Sequence, residues 1–203
     1  EKEKLRPDLQ FPLIVKPIAQ GSSAGITNKS VVRNEWQLRR QVKAIIDNFK
    51  DAALVELFIS GREFSVSLLG NPPEILPIIE PNLATLPKNF EPIESLEVKW
   101  VYEEEVKHYL QCPAKIEPKL KAKIELTVLK VWSALKIRDL CRIDTRCDDK
   151  GNLYVLEVNS PPGLMPPEIS QTSYLPLAAR KHGISYEQLL MRIVELALAR
   201  QKH

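Results

Sequence analysis

Cysteine, histidine and long apolar runs are all scarce in this chain, and each scarcity sets a limit. Three cysteines occur among 203 residues (Cys112, Cys141 and Cys147), an odd number with no CxxC spacing. They do not make a disulfide framework, a soft-metal site would need more ligands than are present, and a reduced, cytoplasmic setting is expected. No run is apolar enough to span a bilayer, and no signal peptide opens the chain. The net charge of +3, with 26 acidic residues interspersed, argues for neither nucleic acid nor membrane as partner. No internal repeat is visible. The first residue is Glu, not Met, which reads as a processed product or a piece of something longer.

What is present is ordinary for a globular protein, with 44% hydrophobic and 27% charged residues. Residues 1–10 read as a linker or frayed end. Pro12–Lys16 reads as a short strand, Gln20–Gly25 as a small-residue loop, and Ile26–Val32 as a returning strand. Asn34 with Gln37 marks a helix start, and Leu38, Val42, Ile45, Ile46 and Phe49 follow at helical spacing. Ala53–Ile59 and Glu63–Leu69 read as strands joined in a hairpin around Ser60–Gly61. On the second of them Phe64, Val66 and Leu68 point one way and Glu63, Ser65 and Ser67 the other. Glu74–Ile79 reads as a further strand, and the proline-rich, charged stretch 80–106 as a long irregular segment or lid.

Pro118 opens a helix to about Lys136, with Leu120, Ile124, Val128, Val131, Trp132 and Leu135 as its buried stripe. A second helix is expected over Pro176–His182, closed by Gly183. Ser185 with Gln188 caps a last helix carrying Leu189, Leu190, Ile193, Val194 and Leu196. The pattern is α+β with antiparallel hairpins.

Between these helices, Cys141–Cys147 alternates apolar and polar residues and leads through the turn Asp148–Gly151 into Leu153–Ser160, a hairpin signature. Glu157 and Asn159 leave one face of their strand, and Arg142 and Asp144 one face of theirs. If the two polar faces coincide, two carboxylates, an amide oxygen and a guanidinium converge, a donor set suited to Mg²⁺ holding phosphates. The same alternation also describes a strand with a plain solvated face. Two motifs fail. Gly21–Gly25 matches GxSxG, but no helix or downstream acid and histidine supports Ser23 as a nucleophile. Gly21 is followed five residues on by Ile26, so there is no Walker A loop. A glycine–serine loop beside Lys16 can still cradle phosphate through backbone N–H groups.

In order, Phe11-Pro-Leu-Ile-Val-Lys-Pro17, Gly21-Ser-Ser23, Val55-Glu-Leu-Phe-Ile-Ser-Gly-Arg-Glu-Phe64, Glu97-Val-Lys-Trp100, Gln111-Cys-Pro-Ala114, Arg142-Ile-Asp144, Glu157-Val-Asn159, Pro162-Gly163, Ser173-Tyr-Leu-Pro-Leu-Ala-Ala179 and Gly183-Ile-Ser-Tyr186 resemble the ATP-grasp fold of D-alanine–D-alanine ligases. The resemblance covers residue 11 to about 200. It implies two subdomains, 1–63 and 64–203, whose antiparallel sheets clamp ATP. It implies a ligase in which ATP phosphorylates a carboxylate and an amine of an amino acid or short peptide attacks the acyl phosphate. Lys16 and Lys99 would then bind phosphate (with Lys107 a competitor for the second role), and Ser22 and Ser23 would form the phosphate loop. Glu56 and the backbone at Ile59 would meet adenine, and Glu63 the ribose. Asp144, Glu157 and Asn159 would hold two Mg²⁺, or Mn²⁺ in their place. Arg142 and the Gly163 N–H would stabilise the oxyanion, and Ser173 would fix the carboxylate of the second substrate.

Three departures bear on which amino acid is taken. Trp100 follows Lys99 where the ligases have tyrosine, Met165 replaces a threonine, and extra residues lie within Pro166–Thr172. The ligases also carry an N-terminal α/β domain and tend to form homodimers, and nothing before Phe11 can be that domain. Alternatives are a ligase for another amino acid or carboxylate, or a module that binds MgATP or a partner without catalysis.

Overall fold

The computed structural model describes residues 6, 7, 9–106 and 108–201, with Glu104 described by its backbone alone. Lys107, His203 and most of the expected leading linker lie outside the described residues. The fold is α+β, and the chain divides into two compact units, Glu1–Ile59 with Leu83–Val106, and Ser60–Asn82 with Lys107–His203. The expected single boundary at residue 63 differs from this twice. The chain passes from one unit to the other at Ile59–Ser60, and 83–106 belongs with the first unit.

In the first unit, β1 (Leu13–Pro17) is the middle strand of an antiparallel sheet, flanked by β2 (Val31–Val32) and β3 (Ala53–Leu57). Helix α1 (Glu35–Phe49) covers it. Alternation puts Leu13 and Val15 on the covered face, where they meet Val32, Leu38 and Ile45 with Val42, Phe49 and Val55 around them. The helix starts where the Asn34 side chain accepts the Gln37 N–H (2.9 Å), while the Gln37 side chain accepts the Arg33 N–H (2.7 Å). That reciprocal pair satisfies N–H groups that a helix start leaves open. The strand expected over Ile26–Val32 is mostly absent. Asn28–Ser30 form a 3₁₀ turn capped by Thr27, and only Val31 and Val32 pair with β1. Thr27 and Ser30 offer the backbone local side-chain partners that compete with a ladder. Nor is 83–106 irregular throughout, since Leu83–Thr85 is a 3₁₀ turn and a π-helical turn, Val98–Tyr102, runs into α2 (Glu103–Glu105).

The second unit is built on an antiparallel sheet ordered β5-β4-β8-β9, with β4 at Glu63–Leu69, β5 at Glu74–Ile75, β8 at Leu140–Cys147 and β9 at Leu153–Asn159. A small pair, β6 (Glu80–Pro81) with β7 (Leu110–Gln111), lies beside it. The Ser60–Gly61 hairpin is therefore not formed: β3 pairs with β1, and β4 with β8 and β5. Helix α3 (Pro118–Ala134) starts with proline, whose missing N–H costs nothing at that position. It packs Ile124, Val128 and Trp132 on Phe64, Val66, Leu68, Cys141, Ile143 and Cys147. Leu120 and Val131 sit at the edge of this core, but Leu135 is 59% exposed, past the helix end.

A second core joins Leu69, Leu76 and Ile79 to α4 (Tyr174–Lys181) and α5 (Tyr186–Gln201) through Tyr174, Leu175, Ala178, Ala179 and Leu189. α4 starts two residues before the expected Pro176. It ends at Gly183, whose φ of +89° and N–H to Arg180 close the helix as read. The Ser185–Gln188 cap forms in both directions. Of the α5 stripe, Leu189, Ile193 and Leu196 face the core, while Leu190 and Val194 are exposed.

Candidate functional site

The face of the second unit's sheet that turns away from α3 is polar and built in rows. Cross-strand register sets Glu63 beside Arg146 and Tyr154, Ser65 beside Asp144 and Glu157, and Ser67 beside Arg142 and Asn159. β4 is central, so Glu63, Ser65 and Ser67 are buried although polar. Asp144 is the hub. It accepts from Ser65 Oγ (2.6 Å), from Arg142 Nε and Nη2 (3.0 and 2.8 Å) and from Asn159 Nδ2 (3.0 Å). Arg142 lies over the Tyr174 ring (5.2 Å to the centroid), and its remaining Nη has no protein partner among the described residues. Burial would lower the pKa of this guanidinium, but the Asp144 charge and hydrogen bonds outweigh it and hold the pKa above the usual arginine value. Arg142 is thus a fixed cation with one free edge.

Glu157 reaches this face only because of a β-bulge. Cys147 pairs with Leu153 and Thr145 with Val155, yet Asp144 pairs with Glu157, and Leu156 is the extra residue. Without the shift, Glu157 would stand opposite Ile143 on the apolar face. The polar faces therefore do coincide. Glu157 is exposed, and Asn159 turns its NH₂ to Asp144, leaving its carbonyl oxygen for another partner. Asp144, Glu157 and the Asn159 oxygen form an all-oxygen set. It fits a hard cation that keeps several waters and shares phosphate oxygens, rather than a cage of three or more His, Cys, Asp or Glu, which is absent among the described residues.

Two more of the expected residues are in this unit. Gly163 is exposed, and a Cβ built on it would meet nothing within 4 Å. Ser173 is buried at the start of α4 and its hydroxyl caps nothing, so the hydroxyl and the helix dipole are both available to an anion. Glu63 is committed to Arg146 (3.3 Å), a pair almost wholly buried. The residues missed in the sequence are Ser65, Arg146 and Tyr174, which hold Asp144, Glu63 and Arg142. The alternation Glu63, Ser65, Ser67 marked their face without saying what it would meet. For the bulge there was a signal, the consecutive apolar Val155–Leu156 breaking a strict alternation.

The first unit holds the remaining expected residues. Lys16 on β1 and Glu56 on β3 form an ion pair at 2.6 Å, half-exposed, so each would have to share its charge with a ligand. Ile59 lies just past β3, and no backbone hydrogen bond uses it among the described residues. Ser22 and Ser23 have φ of 55° and 59°, making a tight turn closed by the Ala24 N–H to Gly21. Two serines in the left-handed region are strained, a condition that clusters at ligand-binding loops. The turn is fastened to the 83–106 segment along its length. Trp100 Nε1 donates to Ser22 O (3.2 Å), Leu96 N–H to Ile26 O (2.9 Å), Glu91 N–H to Asn28 Oδ1 (2.9 Å), and Arg33 grips Glu91 with two bonds. Lys99 sits in the π-helical turn, a distortion found often at functional sites.

The architecture of the two units is that of the ATP-grasp fold. A family model described as "D-ala D-ala ligase C-terminus" matches residues 1–195, and the chain belongs to that family. Among its relatives are an uncharacterized protein, y4sG, of Sinorhizobium fredii (38% identical over 94% of this chain and 53% of that protein) and a D-alanine–D-alanine ligase of Pseudoalteromonas translucida (34%, over 92% and 54%). Two crystal structures of the D-alanine–D-alanine ligase of Bacillus anthracis are similar as well. One has a TM-score of 0.71 at 27% identity, covering 98% of this chain and 60% of that one. The other, complexed with ATP, has a TM-score of 0.66 at 26%, covering 95% and 52%. The chain spans about half the length of the curated relatives it matches. No helix among the described residues is long and apolar enough to cross a membrane.

Proposed function

We propose that this chain is the nucleotide-binding part of an ATP-dependent carboxylate–amine ligase that joins amino acids or short peptides, with two Mg²⁺ (or Mn²⁺) at Asp144, Glu157 and Asn159. The observation that carries the reading is the Asp144-centred cluster on the β8–β9 hairpin, in a chain of this family. A carboxylate oxygen attacks the γ-phosphorus, the bond to the bridging oxygen breaks, and ADP leaves. The amine then adds to the acyl carbon, the tetrahedral intermediate loses a proton from nitrogen, and phosphate departs.

The residues serve this sequence through charge and position, which is most of what phosphoryl transfer asks of a protein. Lys16 and Lys99 neutralise phosphate, and the Ser22 and Ser23 N–H groups face it from their turn. Glu56 and the unbonded backbone of Ile59 meet the adenine edge, and Glu63 the ribose. The free edge of Arg142 and the Gly163 N–H take the oxyanion, while Ser173 and the α4 N-terminus hold the carboxylate of the amine substrate. Magnesium, when bound, supplies charge neutralisation at the phosphates. We also assign the protein to the cytoplasm and to a homodimer of longer chains.

The test is calorimetric titration of this chain with ATP, with and without Mg²⁺, followed by D- and L-amino acids and assay of ADP and new peptide masses. Magnesium-dependent ATP binding and a peptide product are expected, and both should disappear in Asp144→Ala/Glu157→Ala. Peptide formation by that double variant would overturn the metal assignment. ATP binding without any product would favour a binding module instead.

A further inference from the structure

The segment between β9 and α4 contains the extra residues within Pro166–Thr172, and it is not loose. Arg180, on the last turn of α4, reaches back nine residues and donates from Nη2 to Gln171 O (2.7 Å) and Gln171 Oε1 (3.3 Å). Gln171 in turn donates from Nε2 to Pro167 O (2.6 Å). Ile169 and Ser170 N–H groups both close on Pro166 O (3.0 Å each), making a compact arch. At its other end Tyr186 Oη donates to Leu164 O (2.7 Å), one residue past Gly163. The arch thus has two clasps, Tyr186 at Leu164 beside Gly163 and Arg180 at Gln171, two residues before Ser173.

Arg180 is an odd choice for a helix surface. It forms no ion pair among the described residues, its acceptors are neutral oxygens, and its Nη1 is buried without a hydrogen-bond partner. A buried unpaired donor is costly, and nothing in helix packing requires it. Its consequence lies in the arch, since the planar fork meets a backbone and a side-chain oxygen of one residue at once.

We propose that Arg180 is a positioning residue for the amine substrate. Through the Arg180–Gln171–Pro167 relay it fixes the distance between the Gly163 N–H and the Ser173 hydroxyl, and so makes the 166–172 arch a determinant of which amino acid is accepted. This rests on the roles proposed above for Gly163 and Ser173.

The test uses Arg180→Ala, Arg180→Lys and Gln171→Ala with two readouts. Hydrogen–deuterium exchange should speed up about 10-fold or more over 164–172 in Arg180→Ala and Arg180→Lys, and less in Gln171→Ala, which keeps the backbone acceptor. In the ligation assay the KM for the amine substrate should rise about 10-fold or more while affinity for ATP stays within about twofold, because misplacement acts on one substrate only. Adding Gln171→Ala to Arg180→Ala should cost nothing further, as the two act in one relay. Unchanged exchange over the arch in a folded Arg180→Ala would overturn the clasp. Faster exchange with equal losses for both substrates would overturn the positioning role. If the parent chain binds no ATP, the functional reading fails while the exchange experiment still decides whether the relay exists.

Discussion

Asp144 in the second unit accepts from three side chains on three strands, and Ser65, Arg142 and Asn159 are fixed by it in return. Ser22 in the first unit is held by the turn it forms and by a single indole N–H from a half-exposed tryptophan. One set is a lattice of side chains on a sheet, with its central strand buried on both faces. The other is a strained turn tied by backbone bonds to a returning segment. The difference suits different tasks. Charge placed on rigid strands keeps its geometry, whereas a loop fastened by a few exposed bonds opens and closes at small cost.

The comparison can be broken most severely at Asp144. Asp144→Ala leaves Arg142 buried without its counter-ion and should destabilise the chain by about 3–5 kcal/mol, read from urea unfolding. A loss under about 1 kcal/mol would mean the lattice is not held by this carboxylate. Two glycines sharpen it next. Gly25 has φ +80°, and a Cβ there would come within 2.6 Å of Pro17 and 2.9 Å of the Phe49 ring. Gly25→Ala should cost about 1–2 kcal/mol or more in thermal unfolding. Gly163→Ala meets no atom, so the melting temperature should hold while ligation falls; a lower melting temperature instead would make Gly163 a folding residue.

Trp100→Phe removes only the bond to Ser22 O, at an exposed site, and should cost about 0.5–1.5 kcal/mol of local order and no global stability. Faster hydrogen exchange confined to 21–26 would bear this out; none would show the turn stands without the tie. The last effect is with pH and is absent near neutrality. Burial pushes the Cys141 and Cys112 thiols up to about 11. The folded chain then holds these protons more tightly than the unfolded chain, so stability is flat below about pH 9 and falls as pH rises from 9 towards 11. Cys141 should resist alkylation at pH 8 until denaturant is added.

Much of this was legible in advance where the cause is local. The Asn34–Gln37 and Ser185–Gln188 caps, the Gly183 stop, and the hairpin over Asp148–Gly151 all formed as read. Each depends on side chains within a few residues of the backbone they satisfy. Arg142 and Asp144 could be placed on one strand face by alternation alone. Ser65 and Tyr174 could not be named as their partners, nor Arg146 as the partner of Glu63, because those contacts join residues tens of positions apart. Leu135 was misjudged for a related reason: periodicity marks a helix face, but packing decides where along it the core ends.

The sequence by itself determined most of the strands and helices, the helix caps and the β8–β9 turn, and which residue types share a face, since 2-fold and 3.6-fold periodicity and turn chemistry act at short range. Only the tertiary structure decided that β4 pairs with β8 rather than with β3, and that 83–106 returns to the first unit. It also decided that one extra residue at Leu156 carries Glu157 and Asn159 onto the face of Asp144. Strand pairing and register are chosen by the whole hydrophobic core, because a slip of one residue reverses every side chain, and no local stretch contains that information.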